Sequence, residues 1–360
     1  MLVHICCSVD SHYFLQQLQK DYPNETLVGF FYDPNIQPYS EYALRLLDVQ
    51  YSCDKLGIQL IEGDYDFDGW LKLVKGLENE PEKGDRCTVC FDNRLGVSAK
   101  KALELGHNSF TTTLLISPKK SQEKLEIIGK NLEEQYGIKW IFEDYRSGNG
   151  VQIQGEQVKQ NSLYRQNYCG CLFGLTPQRA YQDKLMDEMI CPISKQILPE
   201  SIEERLELYH TRNRYEKQNK PYKIIKQRFL NYRLLSGFVK VNKQVVPSYI
   251  LSYSTLQNGK SNARVEYSYN GVSYLNRNEI KLITIEYINQ NLNQKYKDVM
   301  EMIFNPITIE QENMIRLKVS NNNVFDLSTI VVVDAILDEK YEFFINAKIY
   351  EDVKEVLIDT

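Results

Sequence analysis

Over the first half of the chain, short and mostly apolar runs alternate with longer amphipathic ones. Leu2–Cys6, Thr26–Tyr32, Ile58–Glu62, Ser109–Leu115 and Lys139–Phe142 have the length and composition of strands. Between them the spacing predicts helices over Ser11–Lys20 with Ser11 as N-cap, Glu41–Leu56, Asp92–Leu105, and Gln122–Tyr136 closed by Gly137. Strands separated by helices predict a parallel sheet covered on both faces. The polar, glycine-containing stretch 144–160 predicts a long loop or insert. A helix over about 178–189 is predicted to close a first domain, residues 1–190.

The pattern changes after Cys191-Pro192. A short Glu-rich helix is predicted over Ile202–Tyr209. The runs VVPSYILSY, VEYSY, IRLKV, TIVVVDAIL and EFFINAKIY then predict strands, with Asn270-Gly271 as a hairpin turn. Residues 195–360 are therefore expected to form an α+β or mostly-β extension.

Length and charge add bounds. At roughly 150 residues per domain, 360 residues suggest two domains. No run approaches the ~18 apolar residues of a membrane span, and the N-terminus MLVHICCSVD lacks a secretory pattern, so a cytoplasmic protein is expected. The formal charge of −5 points to no nucleic acid, but it hides a basic segment. Residues 211–245 hold ten Lys and Arg against one acid, Glu216, with Tyr215, Tyr222, Phe229 and Tyr232 interleaved. Cations for phosphates and rings for unpaired bases suit an RNA loop, and Lys220, Lys223, Lys226 and Arg228 are the candidate nucleic-acid contacts. The plain alternative is a solvated amphipathic helix.

Six of the eight cysteines form three tight pairs: Cys6-Cys7, Cys87-x-x-Cys90 and Cys169-x-Cys171. In a reducing compartment such pairs point to metal or redox chemistry rather than disulfides. The first pair, with Asp10, follows the first strand, where ligands bind in parallel sheets. Four ligands make one cubane cluster or one structural zinc. Six thiols, or seven ligands with Asp10, exceed one such centre and fall short of two. That count suits a cluster beside a second metal. Asp10 has a plain reading as a first-turn acid. Cys53 and Cys191 are expected to be bystanders.

The stretches LVHICCSVD, FFYDPNIQPYSEYALR, GDRCTVCFDNRL, FTTTLLISPKKSQEKLEIIG and LYRQNYCGCLFG, in that order, resemble the cobalamin-independent epoxyqueuosine reductase family, QueH, over about residues 1–175. The resemblance implies an adenine-nucleotide α-hydrolase-like (HUP-like) α/β fold. It implies the last step of queuosine biosynthesis, in which epoxyqueuosine at the wobble position of tRNA with a GUN anticodon loses its epoxide oxygen. It also implies a [4Fe-4S] cluster with one adjacent mononuclear metal ion, taken as iron, and an electron donor such as ferredoxin or flavodoxin. The matching metal positions are Cys6, Cys7, Cys87, Cys90, Cys169 and Cys171. Asp10 stands where many members carry a further cysteine and is taken as an oxygen ligand. The motifs do not divide these ligands between the two metals. No glycine-rich pyrophosphatase loop follows the first strand, so ATP use is not implied. The region before LYRQ lacks the Ser-rich, Lys-containing segment of many members, and the extension lies outside the resemblance.

Position nominates the rest of the site. Tyr164, Tyr168 and Tyr32 neighbour the metal motifs or strand ends and are candidate proton donors. Asp33, Asn35, Tyr39 and Arg45 follow the second strand, Arg86 and Arg165 flank cysteines, and Thr112 and Ser117 follow a later strand. These eight are candidate substrate contacts. His4 is expected to face the core or the back of the metal shell, where a hydrogen bond to a thiolate would be its role. The competing reading from another class is a non-catalytic, zinc-stabilised RNA-binding protein.

Overall fold

The computed structural model describes residues 1–360 apart from Cys191, Ile193, Lys195 and Asn278. The expectation for Cys191 lies outside the described residues. The chain forms two compact units. One comprises Met1–Ile190, Arg205–Ile224 and Leu357–Thr360, and the other Cys191–Glu204 and Ile225–Val356.

The first unit contains, in chain order, β1 (Leu2–Ile5), α1 (Ser8–Asp21), β2 (Val28–Phe31), α2 (Tyr39–Leu56), β3 (Gln59–Glu62), α3 (Phe67–Leu73), α4 (Asp85–Glu104), β4 (Ser109–Thr112), α5 (Gln122–Tyr136), β5 (Lys139–Trp140), α6 (Gly150–Gln160) and α7 (Leu172–Tyr181). Most of α8 (Ile202–Lys217) also belongs to it. The expected parallel α/β sheet is present, in the order β3-β2-β1-β4-β5. Every residue of β1, β2 and β4 is buried, including the polar His4, Ser109, Thr111 and Thr112. The chain winds outward from β1 to β3, then crosses to β4 on the other side of β1. The carboxyl ends of β1 and β4 thus flank the switch point, where α/β sheets bind ligands.

Several local expectations are corrected. Helix α1 starts at Ser8, capped by extended Cys7 (φ −167°), not at Ser11; this carries Asp10 into its first turn. Helix α4 starts seven residues before the predicted Asp92, so both cysteines of the Cys-x-x-Cys pair lie on it. The strand predicted to reach Leu115 ends at Thr112, and Thr113–Ile116 form a 3-10 turn. The supposed loop 144–160 holds α6. Its buried positions are Gly150, Gln154 and Val158, so an amide stands where an apolar residue would have revealed the helix. The helix placed at 178–189 is instead α7, ending at Tyr181, followed by a short 3-10 turn at Asp187–Met189.

The second unit is mostly antiparallel. Its elements are β6 (Tyr222–Val241, whose first residues belong to the other unit), β7 (Gln244–Val246), β8 (Ser248–Ile250), β9 (Lys260–Ala263), β10 (Val265–Tyr269), β11 (Val272–Leu275), β12 (Lys281–Thr284), α9 (Ile285–Leu292), α10 (Val299–Phe304), α11 (Ile309–Val319), β13 (Ile330–Val333) and β14 (Tyr341–Asp359, likewise shared at its end). They form sheets β10-β11-β12-β13-β8 and β7-β6-β14-β9. Asn270-Gly271 turns β10 into β11 with both residues at positive φ, as a two-residue hairpin turn requires. The segment IRLKV, predicted as a strand, is the end of α11. Ile309, Ile315 and Val319 are buried with Glu312 and Arg316, and the two charged residues break the apolar helical period.

Among the described residues, no helix is long and apolar enough to cross a membrane.

Candidate metal centre

Three segments far apart in sequence meet beyond the carboxyl ends of β1 and β4. The backbone leaves β1 at Ile5 and places Cys6 and Cys7 before the first turn of α1. The Cys6 Sγ lies 3.8 Å from the Cys7 Sγ and 4.0 Å from the Asp10 carboxylate. The ligand atoms of Cys6, Cys7 and Asp10 all fall within 4.8 Å of one another, a group that could hold a metal ion. Helix α4 brings Cys87 and Cys90, and Cys171 caps α7 with Cys169 just before it. Cys90, Cys169 and Cys171 share one apolar cluster with Trp70 and Phe173.

These thiols line a cavity of about 300 Å³, together with Asp10, Asn35, Arg94, Lys120 and Tyr168 among others. That volume is at the small end of the range of small-molecule and cofactor pockets. Cys7 is buried beside Cys6 behind the cavity wall.

The Cys169-Gly170-Cys171 loop is fixed from outside. Gly170 has φ +97°, and a Cβ there would stand 2.7 Å from Ile36, so only glycine fits. The Gly170 carbonyl accepts from the Gln37 N–H at 2.8 Å. Arg45 donates to the carbonyls of Tyr168 (2.9 Å) and Cys169 (3.2 Å), and Glu41 orients it at 2.7 Å. Arg86 donates to the carbonyls of Leu77, Glu78 and Glu80, which ties the preceding loop to the start of α4.

The electrostatics favour a cation among the sulfurs. A bond to Cys6, and then burial, push the Cys7 thiol well above its ordinary value, and burial raises Cys90. Cys169 is brought down to about 5, first because the Cys171 thiol donates to it, with the Lys120 ammonium adding to the effect. Cys171 rises correspondingly. Burial raises the Asp10 carboxyl against the pull of Lys120 and a bond from Gln154. So many buried thiols ionise together only with a metal to share their charge. The buried Arg94 Nε–H has no hydrogen-bond partner, and the Trp70 indole N–H is directed at the Cys90 thiol. Beside thiols, such donors suit a sulfur-rich acceptor. On both counts the residues present fit an iron–sulfur group.

Other sequence-nominated residues divide. Asn35, Arg45, Arg86, Arg165, Ser117 and Tyr168 line the cavity with the cysteines. Asn35 is buried and its Oδ1 has no partner, whereas Arg165 is exposed at the mouth. Asp33 is buried in an ion pair with Arg94, and burial pushes its carboxyl up to about 6. Tyr164, Tyr32, Thr112 and Tyr39 do not line the cavity. The Tyr164 hydroxyl donates to Glu41 at 2.8 Å. Tyr32 stacks on Phe30. Thr112 bonds His4 Nδ1 at 2.7 Å, and the other nitrogen of that buried imidazole meets the Tyr32 carbonyl. Tyr39 is 60% exposed and packs on Tyr42 and Tyr65. Cys53, the expected bystander, is buried in the sheet core.

Four residues at the site escaped the sequence reading: Arg94, Lys120, Gln154 and Trp70. Arg94 stands one helical turn after Cys90, and that i, i+4 spacing was the available signal. Lys120 sits in the quoted SPKK motif. Gln154 donates to Asp10 at 2.9 Å and carried no signal, lying in a segment read as loop.

The basic segment is not one charged face. Arg212 is fully buried, 2.6 Å from Asp48 and 3.7 Å above the Tyr51 ring, and Arg233 is also buried. Lys220 pairs with Asp359 and Arg228 with Glu351. Lys223 and Lys226 are exposed.

A family model described as epoxyqueuosine reductase QueH matches residues 1–177. The Helicobacter pylori protein named epoxyqueuosine reductase QueH is 39% identical over 351 residues, 93% of this chain and 94% of that one. Proteins of the same name from Thermotoga maritima and Streptococcus pyogenes are 37% and 35% identical, over 50% and 49% of this chain and 92% and 71% of their own lengths. The similarity to the Helicobacter pylori protein thus runs through the second unit, and that to the other two covers about half of this chain. Among solved structures, a U34-tRNA thiolase from Methanococcus maripaludis with its [4Fe-4S] cluster aligns at a TM-score of 0.33 and 15% identity, over 61% of this chain and 66% of that one, too distant to carry weight.

Proposed function

The chain belongs to the QueH family of epoxyqueuosine reductases, and on that premise we propose that it removes the epoxide oxygen of epoxyqueuosine in tRNA to leave the cyclopentene of queuosine. The reaction takes up two electrons and two protons and releases one water. The observation that carries the proposal is the convergence of five thiols and Asp10 on one cavity, with Cys7 directly behind, in a chain of this family.

The six thiolates and Asp10 would hold a [4Fe-4S] cluster and one adjacent iron ion. When bound, these supply electrons at low potential and a Lewis acid for the epoxide oxygen. The chain's own groups bind and orient. The free Asn35 Oδ1 is an acceptor for an N–H or O–H of the modified base, and Ser117 lies on the same cavity. Arg165 at the mouth offers a fork to a phosphate. Arg45 and Glu41 hold the Cys169–Cys171 loop in place. Of the three tyrosines nominated as proton donors, Tyr168 is the one on the cavity. Burial raises its hydroxyl, so it carries its proton at neutral pH, and it rests against the Gln37 carbonyl. Electrons would come from a protein such as ferredoxin or flavodoxin. Lys223 and Lys226, with Lys220 and Arg228 behind their acidic partners, are the proposed contacts to tRNA outside the cavity, within a C-terminal tRNA-binding region.

The test is anaerobic incubation of the iron-loaded protein with epoxyqueuosine-containing tRNA and a chemical reductant, without cobalamin. Nucleoside analysis should show conversion to queuosine. A colourless zinc protein that binds the tRNA without converting it would overturn the proposal.

A further inference from the structure

Among the described residues, Arg94 is the buried cation on the cavity that holds no backbone carbonyl of the loops around it. Arg45 and Arg86 both spend their N–H groups on such carbonyls. Arg94 is 4% exposed, lies one helical turn beyond Cys90 on α4, and ion-pairs with Asp33 from the loop after β2. Its guanidinium is within hydrogen-bonding reach of the Cys90 thiol and within the field of Cys6. Its Nε–H is buried with no acceptor. A buried guanidinium N–H left without a partner forfeits its hydration with nothing in exchange. It is kept where something absent from the protein alone accepts it.

Resting on the reading of the cavity as an iron–sulfur site, we propose that Arg94 is a positioning residue that donates its free N–H to a sulfur of the bound metal centre. Held in place by Asp33, it raises the reduction potential of that centre. Hydrogen bonds to sulfur and local net charge are two of the factors that set such potentials. A positive donor stabilises the reduced, more negative state, and Asp33 opposes it in charge while fixing its direction. The pair thus acts as a matched setting, and the two substitutions should move the potential in opposite senses.

The experiment is a spectroscopically monitored redox titration of the full-length, anaerobically loaded protein beside its Arg94→Gln, Arg94→Lys and Asp33→Asn variants, with iron and sulfide content measured for each. The midpoint is expected to fall in Arg94→Gln, to fall less in Arg94→Lys, which keeps the charge but not the planar fork, and to rise in Asp33→Asn. Where Arg94→Gln fails to retain iron, Asp33→Asn decides by itself: a raised midpoint supports the proposal, and an unchanged or lowered one overturns it. Unchanged midpoints in loaded variants overturn the role of Arg94 alone. A wild-type protein that takes up no iron–sulfur centre overturns the functional reading, and this inference with it.

Discussion

Glu312 in the second unit and Asp33 in the first are both carboxylates buried to within 2% of complete, yet their surroundings differ in kind. Glu312 accepts from the Gln196 amide at 2.8 Å, the Tyr249 hydroxyl at 2.5 Å and the Ser252 N–H at 2.6 Å. Nearby, Arg316 donates to the carbonyls of Ser252, Asp326 and Ser328 and to the Ser254 hydroxyl. That polar set is closed on itself and locks α11 to its sheet. Around Asp33, by contrast, Arg94 Nε and Asn35 Oδ1 are both buried and unpartnered. A satisfied buried network holds a fold together, whereas a set of open valences around one cavity is a receptacle.

The sharpest test of this contrast is at the thiols. Cys90→Ser or Cys169→Ser should lower conversion of epoxyqueuosine by more than about 100-fold, beyond the 10- to 100-fold typical of groups that only support a metal ligand. Iron-to-protein ratio and nucleoside analysis read the effect, and retained iron with retained turnover would break the contrast. Next in size, Glu312→Ala strands three donors and should weaken the second unit by about 1–3 kcal/mol in denaturant unfolding. Iron content should stay the same, and its loss would show that the closed network also serves the metal site.

A smaller effect comes from His12, buried against Ser52, whose imidazole burial brings down from 6.5 to about 4. The folded state keeps it neutral while the unfolded chain takes a proton, so its contribution is complete above pH 6.5 and is lost as pH falls towards 4. Acid titration of stability in His12→Gln should be flatter over that window, and an unaltered slope would remove the assignment. The smallest effect is expected at the basic segment. Lys223→Glu with Lys226→Glu should weaken tRNA binding a few-fold and reduce the slope of log affinity against log salt by about 0.7–0.9 per lost phosphate contact. Arg228→Glu should do less, because Glu351 already engages that side chain. An unchanged slope in the double variant would retire these contacts.

How much of this was legible beforehand follows from what each residue's neighbours are. The parallel sheet was readable because β1 and β2 are short, mostly apolar buried runs between amphipathic helices, while β4, buried with Ser109, Thr111 and Thr112, was readable from its β-branched and aromatic content. The cysteine pairs were readable because few residue types bind soft metals. Helices α6 and α11 were missed where Gln154, Glu312 and Arg316 occupy inward positions, since a buried polar residue erases the period that identifies a helix. Tyr164 and Tyr168 both precede the last cysteine pair in an irregular segment, where no periodicity says which one faces the cavity. Arg212 and Arg233 counted towards a basic face although both are buried, because composition cannot see that Asp48 waits for one of them.

The thiols at residues 6–7, 87–90 and 169–171 meet only after the intervening chain has folded. On a ribosome adding roughly 5–20 residues per second, Cys6 and Cys7 emerge on the order of ten seconds or more before Cys171 exists. Throughout that interval the early cysteines belong to a nascent chain, open to oxidants and to any passing zinc. If the cavity holds the proposed iron–sulfur centre, its insertion is a matter of timing as well as affinity, and heterologous expression should be judged by how fast iron reaches a chain that has just been completed.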